Sequence, residues 1–159
     1  MALGLFRVDD RLVHGQVLIG WGRPLAARFV VLVDDTVRAS DWEQNLYRMA
    51  VPADVELIIA STAEAVERLP QWIADPRNGM LITADLATMA ALHDAAPAVV
   101  RRINLGGLHH RPGRVQRLRY IFLGDADEVL LHRLAADGAV ITAQDLPTTV
   151  PVGLEALLA

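Results

Sequence analysis

Short apolar runs recur along the chain and alternate with stretches whose apolar residues follow a helical period. Runs such as "FVVLV" are continuously apolar rather than alternating, which is typical of parallel strands covered by helices on both faces. The seven candidate strands span residues 3–8, 28–33, 55–60, 80–84, 102–105, 119–124 and 139–143. The pattern predicts an α/β fold, a three-layer sandwich with a mostly parallel sheet of about seven strands.

About six helices are predicted on the two faces of this sheet. Ser40 with Glu43 and Ser61 with Glu64 have the Ser-x-x-Glu spacing of a capping box, and Asp125 with Glu128 imitates it. The predicted helices span residues 14–22, 40–50, 62–74, 86–95, 126–136 and 152–158. Residues 106–117, "GGLHHRPGRVQR", are the one connection predicted to be an irregular loop rather than a helix.

Length and composition favour a single packed domain over residues 1–159, with 53% hydrophobic residues and no interdomain linker. The longest apolar runs are far shorter than the roughly 20 residues that span a bilayer. The start "MALGLFRVDD" does not have the order of charge and apolar residues of a signal peptide. Since the chain has no cysteine, we expect no disulfide and no thiolate chemistry. The absence of cysteine is compatible with a cytoplasmic location.

The charged residues of the chain argue against several classes of function. The net charge is −4 and no long basic run occurs, which argues against nucleic acid as a partner. All fifteen basic residues are arginine. The absence of lysine excludes Walker-type phosphate loops and Schiff-base catalysis.

The stretch "FRVDDRLVHGQVLIGW", residues 6–21, carries the candidate chemistry. If a buried strand ends here and a helix begins, His14 lies at a helix N-terminus on the carboxyl edge of the sheet, where α/β folds bind ligands. Free N–H groups and the helix dipole there favour an anion and a neutral, nucleophilic imidazole, and Gly15 permits close approach. Arg11 adds a donor fork suited to phosphate.

The charged residues of this stretch other than Arg11 each have two interpretations. Asp10 can orient the imidazole by accepting a hydrogen bond from the ring nitrogen that does not react, while either Asp9 or Asp10 can instead be a plain N-cap. Arg7 either faces the site or pairs with a carboxylate at the sheet edge. Trp21 is expected in the core.

For the polar residues outside this stretch, a structural or surface role is the main expectation. Asp34 and Asp35 follow the second strand and are expected to be turn and cap residues or part of the site rim. The adjacent pair His109 and His110 lacks the spacing of metal ligands, so a solvated or interface loop is the better interpretation. His93 and His132 fall within helical patterns and are expected at the surface.

The segment "RVDDRLVHGQV" resembles the N-terminal signature of the enzyme IIB subunits of the mannose/fructose/sorbose family of the bacterial phosphotransferase system (PTS). Three later segments are also similar to this family, so the resemblance covers nearly the whole chain in order. They are "VVLVDDTVRASDWEQNLYRMAVP", "INLGGLHHRPGR" and "LAADGAVITAQDLP".

The resemblance implies a cytoplasmic phosphocarrier, a protein-N(pi)-phosphohistidine–sugar phosphotransferase without cofactor or metal. It would accept a phosphoryl group from a IIA domain and deliver it to a sugar bound by the membrane subunits IIC and IID, its only link to the membrane. The family's phosphohistidine, which carries the group on Nδ1, maps onto His14. Arg11 and Asp10 map onto the arginine and acidic residue of the signature, and Arg11, Gly15 and Gln16 are expected to bind phosphate.

A second group of residues is expected at the site rim or in partner docking: Arg7, Asp9, Asp35, Gly106, Gly107, His109, His110 and Arg111. Where family members commonly carry lysine after the glycine of the second loop, this chain has Arg114. The apolar C-terminal segment "VGLEALLA" is compatible with docking on its own sheet or in a homo-oligomer.

Two other functions remain open at this stage. A IIB-like domain can signal through phosphorylated His14 to another protein without delivering a sugar. An unrelated enzyme, such as a metal-dependent phosphohydrolase, would use Asp9, Asp10 and Arg11 instead.

Overall fold

The computed structural model describes residues 3–159 as nine strands and seven helices. The strands are β1 Leu3–Asp9, β2 Phe29–Val33, β3 Glu56–Ala60, β4 Gly79–Thr83, β5 Arg102–Gly107, β6 Val115–Leu118, β7 Ile121–Leu123, β8 Val140–Ala143 and β9 Val152–Gly153. The helices are α1 Gly15–Val17, α2 Asp35–Arg38, α3 Asp41–Ala50, α4 Thr62–Ala74, α5 Leu86–Ala95, α6 Asp125–Ala136 and α7 Leu154–Leu157. A π-helical turn, Leu18–Gly22, continues α1.

The main sheet has seven strands in the order β3-β2-β4-β1-β5-β8-β9. All neighbours pair in parallel except β8 and β9, which are antiparallel. Alternate residues of the central strands enter two separate apolar clusters, so that Val31 and Leu81 face one layer while Val30 and Met80 face the other. The predicted α/β sandwich with helices on both faces is therefore confirmed.

The two apolar clusters, one on each face of the sheet, are formed by different helices. One cluster includes buried residues of α4, α5, α6 and α7, such as Trp72 and Met89. The other contains Val17 and Trp21 near the start of the chain and Val37 of α2. The confirmed core position of Trp21 places the segment that follows β1 firmly against the sheet.

One strand prediction and part of one helix prediction were wrong. The run at residues 119–124 does not join the main sheet: β7 pairs antiparallel with β6 across a tight turn at Arg119 and Tyr120, and β6 lies in the segment expected to be a loop. The seventh strand of the main sheet is instead β9, which was expected to be helical. A strand of two residues is too short to produce a periodic signal.

The helix boundaries mostly follow the capping residues. Ser61 and Glu64 form the full reciprocal box at α4, whereas Ser40 accepts from the Glu43 N–H without a return bond. At α6 the capping carboxylate belongs to Asp127, which accepts from the Gly124 N–H at 2.8 Å. The proposed pair Asp125 and Glu128 was therefore wrong, because the helix begins at Asp125 itself.

Two further details depart from the sequence interpretation. Asp34 is a cap residue as expected, but it caps an unpredicted one-turn helix, α2. His132 is exposed as expected, whereas His93 is buried in α5 with only 1% of its surface exposed. Among residues 3–159, no helix is long and apolar enough to cross a membrane.

Candidate functional site

The segment Asp9–His14, here called the signature loop, lies at the carboxyl end of β1. Its strand neighbour β5 pairs in parallel with β1, and Asp9 lies opposite Gly107 in that register. The next strand, β8, leads into Gln144 and Asp145 at the same edge. Parallel pairing therefore brings three chain segments of widely separated sequence position to one place.

A tight turn shapes the signature loop. The Leu12 N–H donates to the Asp9 carbonyl at 2.8 Å, and Leu12 adopts a left-handed backbone conformation with φ of 56°. Such a conformation is strained for leucine. It is maintained because the Leu12 and Val13 side chains are both buried in the core.

His14 follows this turn in an extended conformation and is the N-cap residue of α1. The first N–H groups of a helix have no intrahelical partner, and the His14 side chain does not cap those of α1. Gly15 is exposed, and a Cβ placed there would meet nothing within 4 Å. The imidazole thus stands beside backbone donors that an anion can approach.

The Asp9 carboxylate is the centre of the site and is completely buried. Its Oδ2 lies 3.1 Å from His14 Nε2 and accepts from Arg11 at 3.0 Å, while Oδ1 accepts from Arg11 Nε at 3.1 Å. Burial alone would raise the pKa of Asp9, but the hydrogen bonds from His14 and Arg11 and the nearby arginine charges outweigh it. They hold that pKa at about 2, so the carboxylate is ionised at neutral pH.

The expected contact between Asp10 and His14 was wrong. Asp10 accepts instead from the backbone N–H of His109 at 2.8 Å, and its other oxygen contacts His109 Nδ1. Consecutive residues at the end of a strand point in opposite directions, so only one of the two aspartates can face the imidazole. That residue is Asp9.

Arg7 lies beneath the site rather than at its rim. It is fully buried, with Nε 3.6 Å from Asp9 Oδ2, and it donates to the backbone carbonyls of Gln144 and Asp145 at 2.9 and 3.1 Å. It also donates to Asn104, and its guanidinium packs over the Trp21 ring. Burial lowers the pKa of Arg7, and the Asp9 charge opposes this shift.

Gly106 and Gly107 make room for these side chains. A Cβ on Gly106 would lie 1.9 Å from Arg7 Cζ, and one on Gly107 would lie 2.9 Å from Asp9 Oδ1. Any larger residue at these positions would displace the buried Arg7 or Asp9. The two glycines therefore leave the space that the Arg7 and Asp9 side chains occupy.

A chain of polar contacts extends outward from Arg11. Arg11 donates to Gln16 Oε1 at 3.0 Å, and the Gln16 amide donates to Asp145 Oδ1 at 2.9 Å. The other Asp145 oxygen accepts from Arg119 at 2.8 Å. Both ends of the Gln16 side-chain amide thus make a hydrogen bond within the network. The hydrogen bond to Asp9 raises the pKa of Arg11, which stays charged.

The remaining residues of the expected rim are divided. His109, His110 and Arg111 are exposed, and the His110 ring contacts Phe122 edge to face. Arg114 donates to the His109 carbonyl at 3.0 Å and so holds this loop. Asp35 does not belong to the site: it accepts from the Thr62 N–H near the start of α4, on a part of the sheet separated from β1 by β4.

A polar cavity of about 330 Å³ adjoins Arg11. Its lining includes Arg11, Gln16, His109, Arg119 and Asp145. A larger cavity of about 460 Å³ lies elsewhere, and none of the residues of the signature loop lines it. The smaller cavity is the one that adjoins the signature loop, because Arg11 lines it, whereas the charged residues that line the larger cavity are Arg23, Arg28 and Asp54.

Sequence reasoning missed three residues of the network, Asn104, Arg119 and Asp145, and it missed Tyr120, which lines the polar cavity. Asp145 lies inside the segment "LAADGAVITAQDLP", but its side chain was not singled out. Its backbone carbonyl accepts from Trp21 Nε1 at 3.0 Å, and the Gln144 side chain donates to two carbonyls of the following turn. The order of the strands was needed to place this loop beside β1.

Comparison with known proteins agrees with this architecture. The sequence model of the protein family described as "PTS system sorbose subfamily IIB component" matches residues 3–159. The chain belongs to this family. It is a IIB component of the mannose/fructose/sorbose group, and IIB components are transferases of the phosphotransferase system.

Two relatives and one solved structure illustrate the similarity of this IIB component. It is 27% identical over 154 residues to the N-acetylgalactosamine-specific phosphotransferase enzyme IIB component 2 of Escherichia coli K12, covering 97% of both chains. It is 24% identical over 150 residues to the mannose-specific EIIAB component of the same organism, covering 93% of this chain and 46% of that one. The crystal structure of the IIBSor domain of the Klebsiella pneumoniae sorbose permease superposes with a TM-score of 0.89 at 22% identity, over 99% and 96% of the two chains.

Proposed function

We propose that this IIB component carries a phosphoryl group on Nδ1 of His14. The observation that supports this proposal is the hydrogen bond between His14 Nε2 and the Asp9 carboxylate. A carboxylate only accepts, so Nε2 carries the proton and Nδ1 carries the lone pair. Within residues 3–159, Nδ1 makes no hydrogen bond, and the side chain is 20% exposed.

The proposed step is an in-line phosphoryl transfer. The Nδ1 lone pair attacks phosphorus, and the bond from phosphorus to the donor imidazole breaks, so that the donor leaves as a neutral ring. The His14 ring becomes positively charged while it keeps its Nε2 proton. The buried, ionised Asp9 lies against that proton and stabilises this charge.

The incoming phosphoryl oxygens meet donors that are already in position. The N–H groups at the start of α1 lie next to His14, and Arg11 uses three of its five N–H protons on Asp9 and Gln16, which leaves two for a phosphate. Because Arg11 is held at Asp9, it needs little rearrangement when the group arrives. Catalysis here consists of positioning and electrostatic stabilisation.

The donor in this proposal is a phosphorylated IIA domain, and the acceptor is a sugar bound to the membrane subunits IIC and IID. The similarity to a mannose-specific EIIAB protein, in which IIA and IIB share one chain, supports the donor assignment. The proposal places the protein in the cytoplasm with no nucleic-acid partner. A metal-dependent phosphohydrolase is disfavoured because Asp9 and Asp10 point to different partners and do not converge.

The test is to incubate the protein with phosphorylated IIA and to record phosphorus NMR spectra. We expect one phosphohistidine, of the Nδ1 type, that is labile in acid and stable in base. It should be absent in His14→Ala and retained in His110→Ala, a matched change of an exposed histidine. A phosphohistidine that persists in His14→Ala would contradict the proposal.

A second experiment separates transport from signalling. Adding membranes that contain IIC and IID should discharge phosphorylated His14 to a sugar. If His14 is phosphorylated but no set of such membranes discharges it, the regulatory alternative is favoured instead.

A further inference from the structure

His93 is a buried histidine that the proposed phosphoryl transfer does not use. Its Nδ1 lies 2.7 Å from the Val100 carbonyl oxygen, and its side chain is 1% exposed. Because a carbonyl only accepts, Nδ1 donates the proton of that hydrogen bond. In the neutral ring Nε2 therefore carries a lone pair, and this buried atom has no hydrogen-bond partner within residues 3–159.

Two carboxylates face this nitrogen. Asp137 Oδ2 lies 3.8 Å from His93 Nε2, which is too long for a hydrogen bond, and an Asp94 carboxylate oxygen lies within 4.8 Å of a ring nitrogen of His93 and of a carboxylate oxygen of Asp137. A nitrogen lone pair and a carboxylate oxygen do not attract each other. A cation between them would give all three groups a partner.

The surroundings of the cluster favour positive charge. His93 and Asp94 lie in the last turn of α5, and Asp137 is the C-cap residue of α6. The carbonyl ends of two helices therefore point toward the same region and add partial negative charge. Arg133 provides the nearby positive charge: it donates to both Asp94 oxygens at 2.9 and 3.3 Å and lies 3.6 Å from Asp137. It leaves His93 Nε2 without a donor.

We propose that His93, Asp94 and Asp137 bind a divalent transition-metal cation of the zinc type. One imidazole nitrogen and two carboxylate oxygens suit zinc, with water in the fourth position, whereas magnesium and calcium prefer oxygen ligands alone. Tetrahedral zinc places neighbouring ligand atoms roughly 3.4 Å apart. The 3.8 Å between Nε2 and Oδ2 is close to this spacing. The hydrogen bond from Nδ1 to Val100 is the outer contact that commonly orients a ligating histidine.

Arg133 competes with the metal for the two carboxylates. Its side chain is 43% exposed, so it can leave toward solvent when the cation enters. Removing its charge should therefore strengthen metal binding. The site lies at the C-terminal ends of α5 and α6, which lead into the amino ends of β5 and β8, opposite the edge that carries His14. It is independent of the proposed phosphoryl transfer.

The test is calorimetric titration of the full chain with zinc chloride, combined with thermal unfolding. Zinc, but not magnesium, should bind and raise the unfolding temperature. Asp137→Asn, an exposed and conservative change, should weaken zinc binding more than about tenfold, and Arg133→Ala should strengthen it roughly tenfold. His132→Gln, on the same helix but outside the cluster, should leave the affinity unchanged.

Two results would overturn the proposal. One is zinc affinity that is the same in Asp137→Asn as in the unchanged protein, or lower in Arg133→Ala. The other is zinc binding that disappears in the double variant His109→Ala, His110→Ala while Asp137→Asn retains it, which would assign the metal to that exposed histidine pair.

Discussion

Oδ2 of Asp9 lies 3.1 Å from Nε2 of His14, while the same carboxylate accepts two hydrogen bonds from the Arg11 guanidinium. The short turn at Leu12 brings His14 back over the end of the strand that carries Asp9. A single buried carboxylate therefore orients both the imidazole and the guanidinium. The His14 and Arg11 side chains, which are proposed to carry and bind the phosphoryl group, are therefore both held by Asp9.

Replacing that carboxylate by an amide should change the tautomer of the imidazole. In Asp9→Asn the amide N–H₂ can donate to Nε2, which favours the tautomer whose proton is on Nδ1, the atom proposed to attack. We expect the rate of phosphorylation by phospho-IIA to fall on the order of 10²- to 10⁴-fold. Nitrogen NMR of the ring and the rate measured in rapid-quench experiments test both parts.

The matched control for this change is the neighbouring Asp10→Asn. Asp10 contacts His109 and not His14, so the phosphorylation rate should stay within about threefold. A larger loss in Asp10→Asn than in Asp9→Asn would show that the orienting carboxylate has been misassigned.

Asp9 should also make stability depend on pH in the acidic range. Its pKa falls from 3.8 to about 2 in the folded protein, so the ionised carboxylate contributes roughly 2 kcal/mol above its unfolded pKa. This contribution is fully present above about pH 4 and is lost as the pH falls through the folded pKa. Denaturant unfolding at several pH values should show this slope in the unchanged protein, and the free-energy difference from Asp9→Asn should shrink below pH 4. A difference that stays constant from pH 5 to pH 2 would contradict it.

The sequence predicted the layers of the fold because continuous apolar runs and capping residues are local signals. It also predicted the neighbourhood of His14, Arg11 and Gly15, which lie within five residues of one another. It assigned the orienting role to Asp10 because the direction of each side chain depends on where β1 ends. Asp145 and Arg119 were missed because their contacts with Gln16 depend on strand order and on the turn between β6 and β7.

The glycines of the site allow a separate test of support and approach. Gly106→Ala would place a Cβ on top of the buried Arg7 guanidinium, and we expect a loss of about 3 kcal/mol in the free energy of unfolding. Gly15→Ala meets no neighbouring atom and lies at the start of a helix, so stability should change by less than about 1 kcal/mol. Chemical denaturation measures both variants.

Gly15→Ala should nevertheless slow phosphorylation, since its methyl group would stand beside the N–H groups proposed to receive the phosphoryl oxygens. The pair of variants therefore separates folding from transfer. Equal loss of stability in both would contradict the different surroundings of the two glycines.

Arg11 and Arg119 both border the polar cavity but differ in how they are held. Arg11 is 34% exposed and uses its planar fork on Asp9 and Gln16, whereas Arg119 is 81% exposed and its side chain makes one hydrogen bond within residues 3–159, to Asp145. A lysine keeps the charge but cannot form the fork. Arg11→Lys should therefore lower the phosphorylation rate on the order of 10²-fold, and Arg119→Lys should change it less than about threefold.

Rapid-quench phosphorylation by phospho-IIA measures this pair, and the circular dichroism of each variant checks that it is folded. If the two variants lose the same rate, the fork at Asp9 is not what distinguishes the two arginines. If both losses are also small, charge alone explains the role of Arg11, because lysine preserves the charge at both positions.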